Sequence, residues 1–234
     1  MNNLSVILCT YNEVASIKQT LDKLISREEV NEIIIIDDSS KDGTINIIES
    51  YNNKKIKFYI RKDTRGFASA FIFGLFVSSG EHILRFDLDM HDDIDYFINE
   101  YKNNINKDCI IFSRYVDGGK DLRRNFRKVS SSLINKFCQL LLSKKIKDYT
   151  SCVMIFKRSL LKDNIPNNSG YANFIIEFVY KLILLNKNFL EIAYIQKKKT
   201  ELNSKSATNI FIFLKNGFYY LITIIKCYII KIFN

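Results

Sequence analysis

The 234-residue chain holds a single proline and eight glycines, too few for a disordered, low-complexity or fibrous protein. Its five cysteines, Cys9, Cys109, Cys138, Cys152 and Cys227, are scattered, odd in number and without a C-x-x-C pair. They therefore form no disulfide framework, and most are expected as buried free thiols of a reducing compartment. No G-x-G-x-x-G follows the first apolar run, where Thr10-Tyr-Asn-Glu13 stands instead, which argues against a nicotinamide dehydrogenase. The opening MNNLSVILCTYNE lacks a charged n-region and a long apolar core, so no signal peptide is expected. Nor does any apolar run reach the ~20 residues of a spanning helix, because Lys215, Lys226 and Lys231 interrupt the apolar tail.

What is present is a hydrophobic share of 47%, enough for a substantial core, and an uneven charge. The net charge is +10, yet residues 1–100 carry 11 Lys and Arg against 17 Asp and Glu, while residues 101–234 carry 24 against 8. An acidic half beside a basic half suits a protein that handles a cation with one and an anionic partner with the other.

Short β-rich runs at 4–9, 32–36, 56–60, 82–86 and 108–113 alternate with helical patterns such as Val14, Ile17, Leu21, Leu24 and Ile25, or Ile94, Phe97, Ile98 and Tyr101. Strand–helix alternation predicts crossover connections, a mostly parallel sheet and helices on both faces. Ligands of such sheets bind beyond the carboxyl ends of the strands. Those ends read TYNE, DDSSKDGT, DLDMH and SRY, so the polar clusters are expected at one edge. Further on come a helix candidate at 124–143, a strand at 151–157, a helix at 172–185, a strand at 190–195 and the apolar tail from Ala207.

In FDLDMHDD, Asp87 and Asp89 lie two apart in an extended segment and face the same way. Paired carboxylates at a strand end suit a hard divalent cation, Mg2+ or Mn2+, that also holds phosphates. His91 continues the parity as a third ligand or a neighbour of the ligands, while Asp92 and Asp93 favour the N-terminus of the next helix. Asp37 and Asp38 can accept hydrogen bonds from a base or ribose, whereas Asp42-Gly43-Thr44 reads as turn and cap.

In their order and spacing, VILCTYNE, IIIIDDSSKDGT, RGFASA, FDLDMHDD and SRYVDGG resemble the family-two glycosyltransferases of the GT-A fold. Within that family the chain looks most like the polyprenyl-phosphate (dolichol-phosphate) mannose and glucose synthases, a similarity continued by NFRKVSS, KDYTS, EIA and Ser204-Lys205. The resemblance implies a nucleotide-sugar donor whose nucleoside is held by Thr10, Tyr11, Glu13 and Asp38. It implies a metal and diphosphate held by Asp87 and Asp89, with His91 where the family commonly has Gln. It places the lipid phosphate and donor diphosphate at Arg114, Arg127 and Ser131, with Asp89, Arg114 and Arg127 as the catalytic set. The family's closing Arg, Gly and Ser-Lys appear as Lys199, Leu202 and Ser204-Lys205, and a small residue after Ser151 is Cys152. Lysine keeps the charge there but loses bidentate phosphate geometry.

The expected organisation is a GT-A domain over 1–206 and an amphipathic helical tail over 207–234 that lies on the cytoplasmic face of a membrane. Lys215 and Lys226, about three turns apart, share a face of that tail. A core helix packed on the sheet is the alternative, and a spanning helix the least favoured. The expected reaction is inverting transfer of mannose or glucose from GDP-mannose or UDP-glucose to polyprenyl phosphate. Two other readings stay open: a related enzyme with a saccharide acceptor, and a non-enzymatic basic protein binding anionic lipid or nucleic acid. Strand-end carboxylates would have no task in the last, so no nucleic-acid partner is expected.

Overall fold

A computed structural model describes residues 3–167, 170–197 and 210–233. In chain order its principal elements are β1 (Leu4–Thr10), α1 (Val14–Ile25), β2 (Val30–Asp37), α2 (Thr44–Glu49), β3 (Ile56–Ile60), α3 (Phe67–Val77), β4 (His82–Arg85) and α4 (Ile94–Asn103). They continue as β5 (Cys109–Ser113), β6 (Lys120–Asp121), α5 (Asn125–Leu141), β7 (Met154–Lys157), α6 (Phe174–Leu184), β8 (Phe189–Ala193), β9 (Ile195–Gln196) and α7 (Ile210–Phe233). The chain forms two compact units, one of residues 1–107 with 152–160 and one of residues 108–151 with 161–234.

The first unit is a sheet in the order β3-β2-β1-β4-β7, parallel except for β7, which runs antiparallel to β4. Its central strands are β-branched on both faces, and Ile33 to Ile36 are fully buried, as sheets covered by helices on two sides require. Each such side chain contributes roughly 1.5–3 kcal/mol by leaving water. Helix α1 buries the stripe Ile17, Leu21 and Leu24, and α4 buries Ile94, Phe97, Ile98 and Tyr101, as their spacing predicts. Helix α3 was not legible: FASAFIFGLFV is apolar on nearly every side, so no polar–apolar period marks it. It sits so close to the sheet that a Cβ on Gly74 would come 2.5 Å from Ile7 Cγ2.

Buried Glu32 fastens the amino-terminal edge. It accepts from Ser5 Oγ at 2.5 Å, Lys57 Nζ at 2.5 Å and the backbone N–H of Ser79 at 2.6 Å. Burial pushes its carboxyl up, but those donors outweigh burial and bring it down to about 2.

In the second unit β5 and β8 pair in parallel, as do β6 and β9. Helix α7 contacts α5 and α6 and buries Thr223, Ile224 and Cys227. Lys226 bonds the Glu177 carboxylate of α6 at 2.9 Å, and Lys231 donates to the Leu141 carbonyl that closes α5. Lys226 is thus an ion-pair partner in the protein rather than a bare headgroup contact. All five cysteines are free thiols.

Candidate active site

Three of the four polar clusters lie at the carboxyl ends of β1, β2 and β4 in the first unit. Two loops there are stitched side chain to backbone. Asn12, at φ 53°, donates its N–H to Ser40 Oγ at 2.8 Å and accepts from Lys41 N at 2.9 Å. Glu13 N donates to Thr44 Oγ1 at 2.8 Å, and Asp42 takes the N–H of Val14, so α1 is capped from the neighbouring loop. Thr10 is buried and donates to Asp37 at 2.7 Å, while Asp37 also accepts the N–H and hydroxyl of Ser40.

Asp38 is equally engaged. Its oxygens take Arg61 Nε at 2.7 Å and the N–H of Gly66 at 2.8 Å, and only 8% of the side chain is exposed. The residues expected at the nucleoside, Thr10, Tyr11, Glu13 and Asp38, are therefore all at this edge, with Thr10 and Asp38 held inside its loops. Tyr11 carries the Arg65 guanidinium over its ring, 3.4 Å from the centroid.

At the end of β4, Asp87 is half-exposed and bonded to buried Arg85 Nη2 at 2.9 Å. Arg85 also bonds the Cys152 carbonyl and lies over the Phe67 ring. Asp89 is part-buried, with Oδ1 out of solvent, in a 3-10 turn spanning Leu88–Asp93. His91 turns its Nδ1 to the Leu88 carbonyl at 3.1 Å and its Nε2 toward Asp92 at 3.6 Å. Among the described residues no three His, Cys, Asp or Glu side chains are drawn together as a ready metal cluster. Two carboxylates at a strand end do fit a hard cation that takes its remaining oxygens from a diphosphate and water.

The fourth cluster, in the second unit, leads from the end of β5 into a buried ionic network. Arg114 gives Nε to Asp148 Oδ2 at 2.8 Å and Nη2 to Asp148 Oδ1 at 2.8 Å. It also gives Nη1 to Gln196 Oε1 at 3.1 Å and Nη2 to Thr150 Oγ1 at 2.7 Å, while Asp121 stands 3.6 Å from Nη1. Glu191 on β8 holds the loop that presents Asp148, accepting the N–H groups of Lys147 and Asp148 at 2.7 and 2.8 Å. Burial raises the Asp148 carboxyl, but the charge and bonds of Arg114 outweigh it and hold the group below its ordinary range.

Arg127 and Ser131 lie one turn apart on α5, both half-buried, and Ser131 Oγ is 3.1 Å from Thr150 Oγ1. Lys199, Ser204 and Lys205 lie outside the described residues. Sequence reading passed over Arg61, Arg85, Thr150 and Asn135; an arginine inside the apolar run HILRF was the available signal for Arg85.

A parallel sheet with acidic residues at its carboxyl edge places a ligand site at the strand ends. The chain belongs to glycosyl transferase family 2, whose model matches residues 5–165. It is 30% identical over 212 residues to the dolichyl-phosphate β-glucosyltransferase of Dictyostelium discoideum, covering 81% of this chain and 65% of that protein. It is also 35% identical over 109 residues to the poly-β-1,6-N-acetyl-D-glucosamine synthase of Staphylococcus epidermidis, covering 44% of this chain and 26% of that protein. The chain thus spans less than two thirds of the length of these relatives.

Among solved structures, glucosyl-3-phosphoglycerate synthase from Mycobacterium tuberculosis in complex with UDP superposes with a TM-score of 0.71 at 13% identity. That match takes in 97% of this chain and 80% of the other. A mannosyltransferase from Pyrobaculum calidifontis in complex with GDP-Man and Mn2+ superposes with a TM-score of 0.57 at 18% identity, over 83% and 56% of the two chains. The fold is GT-A.

Proposed function

We propose that the protein transfers a hexosyl group from a nucleotide-diphospho-sugar to a polyprenyl phosphate at a membrane surface. The observation that carries the reading is the two-sidedness of α5. One side bears Arg127 and Ser131, donors suited to a phosphate. The other leaves Phe126, Val129, Leu133, Phe137 and Leu140 each at least half exposed. Beside it α7 bares Phe218, Leu221, Ile222 and Ile225, and the Phe126 and Phe213 rings meet at 4.3 Å. A contiguous apolar face of this kind marks a partner surface, and flanking Lys128, Lys136 and Lys215 add attraction to anionic headgroups. Segment Phe213–Phe233 is long and apolar enough to cross a membrane. Its ion pair with Glu177 and its buried Thr223 and Cys227 favour a helix moored to the protein and lying in the interface.

In this reading the carboxyl edge of the first unit binds the donor, with Thr10, Tyr11, Glu13 and Asp38 around the nucleoside. Asp87 and Asp89 would hold Mg2+ or Mn2+, which supplies charge neutralisation for the departing diphosphate. Arg127 and Ser131, with Lys199, Ser204 and Lys205, hold the acceptor phosphate. A phosphate oxygen is anionic at neutral pH, so attack on the anomeric carbon needs no general base and direct displacement inverts that centre. The relative from Dictyostelium discoideum, named for a dolichyl-phosphate acceptor, supports this choice. Its location would be the cytoplasmic face of a membrane.

The test is incubation with radiolabelled nucleotide-sugars, Mg2+ or Mn2+, and extracted membrane lipid, followed by phase extraction. Label is expected in the organic phase and dependent on the metal. Label appearing only in a water-soluble glycan would move the acceptor to a saccharide.

A further inference from the structure

Arg85 puts a buried charge where the sheet is otherwise apolar. It stands on the central strand β4, in register with Ile7 of β1 on one side and Met154 of β7 on the other. Burying a guanidinium is costly unless its donors are matched, and a well-packed apolar side chain in its place would often be at least as stable. Side chains two apart in an extended segment share a face, so Arg85 points the same way as Asp87. Its position is explained by that neighbour rather than by the core.

The guanidinium is anchored on several sides. Nη1 donates to the Cys152 carbonyl, and the group lies 4.7 Å from the centroid of the Phe67 ring. Phe67 is itself stacked on Phe71 at 6.3 Å. Nη2 then reaches Asp87 Oδ1 at 2.9 Å. The Arg85 side chain is 5% exposed and that of Asp87 45%, so the bond is made from the buried side and the carboxylate opens outward. A guanidinium fixed in this way stays on Oδ1 when a cation arrives, and Oδ2 is the Asp87 oxygen left to ligate it.

We propose that Arg85 sets the ion selectivity of the site: by keeping Asp87 to one oxygen it admits a small octahedral ion, Mg2+ or Mn2+, and disfavours Ca2+. Ca2+ takes about 6–8 oxygens and commonly grips a carboxylate by both, whereas Mg2+ combines one or two carboxylates with phosphate and water. The charge of Arg85 repels every divalent ion alike, so it alters affinity and not choice. Arg85 touches a ligand of the ion and not the ion itself, which makes it a positioning residue. This inference rests on the reading of Asp87 and Asp89 as the metal carboxylates.

The experiment follows free Mn2+ by electron paramagnetic resonance in the presence of protein and UDP or GDP, and then displaces the bound Mn2+ with Mg2+ or with Ca2+. For wild type, Ca2+ should compete roughly tenfold less well than Mg2+. Arg85→Met releases the second Asp87 oxygen and removes the repelling charge. It should tighten Mn2+ and bring Ca2+ to within about twofold of Mg2+. Should that variant fail to fold, Arg85→Gln, which keeps a donor for the Cys152 carbonyl, should show the same narrowing. Loss of a merely structural side chain would weaken all three ions together and leave their ratio as it was. An unchanged ratio in a folded variant, or a wild type for which Ca2+ competes as well as Mg2+, would overturn the role of Arg85 and leave the carboxylates as ligands. Wild-type protein that binds no Mn2+ beside either nucleotide would overturn both.

Discussion

Arg114 and Asp148 meet as a bidentate pair inside the second unit, Nε and Nη2 each 2.8 Å from a different carboxylate oxygen, with 3% and 0% of the two side chains exposed. Taking both charges out of water is costly, and the geometry and further bonds to Thr150 and Gln196 offset that cost. Asp148→Asn leaves the guanidinium buried beside a neutral amide and should destabilise the protein by about 3–5 kcal/mol, read as a lowered urea midpoint. Arg114→Lys should also destabilise, because a point charge cannot reproduce two parallel bonds. An unchanged midpoint in both variants would show that the pair is not a structural anchor.

Glu32 should govern part of the acid sensitivity. Its folded carboxyl lies at about 2, below the ordinary value of 4.5. A depressed carboxylate contributes stability that is complete above pH 4.5 and disappears as the pH falls toward 2. Urea unfolding between pH 6 and 2.5 should show wild type losing about 2–3 kcal/mol that Glu32→Gln does not lose. Parallel curves for the two proteins would contradict this account.

Removing one carboxylate from the end of β4 should weaken the divalent ion and the donor together. Asp89→Asn is expected to reduce Mn2+ binding in the presence of nucleoside diphosphate more than tenfold, followed by electron paramagnetic resonance of free Mn2+. His91→Gln should retain Mn2+ binding, since the imidazole already spends Nδ1 on the Leu88 carbonyl. Wild-type affinity in Asp89→Asn would remove the carboxylate pair from the metal site.

The apolar faces of α5 and α7 can be tested without truncation, which would uncover Ile224 and Cys227 packed in the second unit. Leu133 and Phe218 are 53% and 62% exposed, so Leu133→Glu and Phe218→Glu should fold normally. Sedimentation with anionic vesicles should fall several-fold for each and further for the pair. Carbonate washing should release the wild-type protein from membranes. Undiminished vesicle binding by the double variant would place membrane contact elsewhere.

Strands β1 to β5 were readable to within two or three residues, because short runs rich in Ile, Val, Leu and Phe give way to polar residues at their ends. Helices α1 and α4 were equally plain from one apolar stripe each. Helix α3 was hidden by the lack of any polar side. The division into two units was not visible either, since no linker composition marks it. The partners of Arg114 lie 34 residues away at Asp148 and 82 residues away at Gln196, a separation that no local pattern encodes.

The sequence by itself determined the family, the parallel sheet and the placing of acidic residues at strand ends, because these follow from periodicity and from short motifs in order. Tertiary structure alone decided which of those charges the fold uses internally. Asp37, Asp38 and Arg114 stand alike at strand ends in the sequence, and their bonds to Thr10, Arg61 and Asp148 depend on neighbours in space. It also decided the sense of α5. A helical stripe such as Phe126, Val129, Leu133, Phe137 and Leu140 ordinarily faces a core, yet here Asn135 and Cys138 are buried and the stripe faces out. Periodicity shows that a helix has two sides, and only the packing around it shows which one is covered.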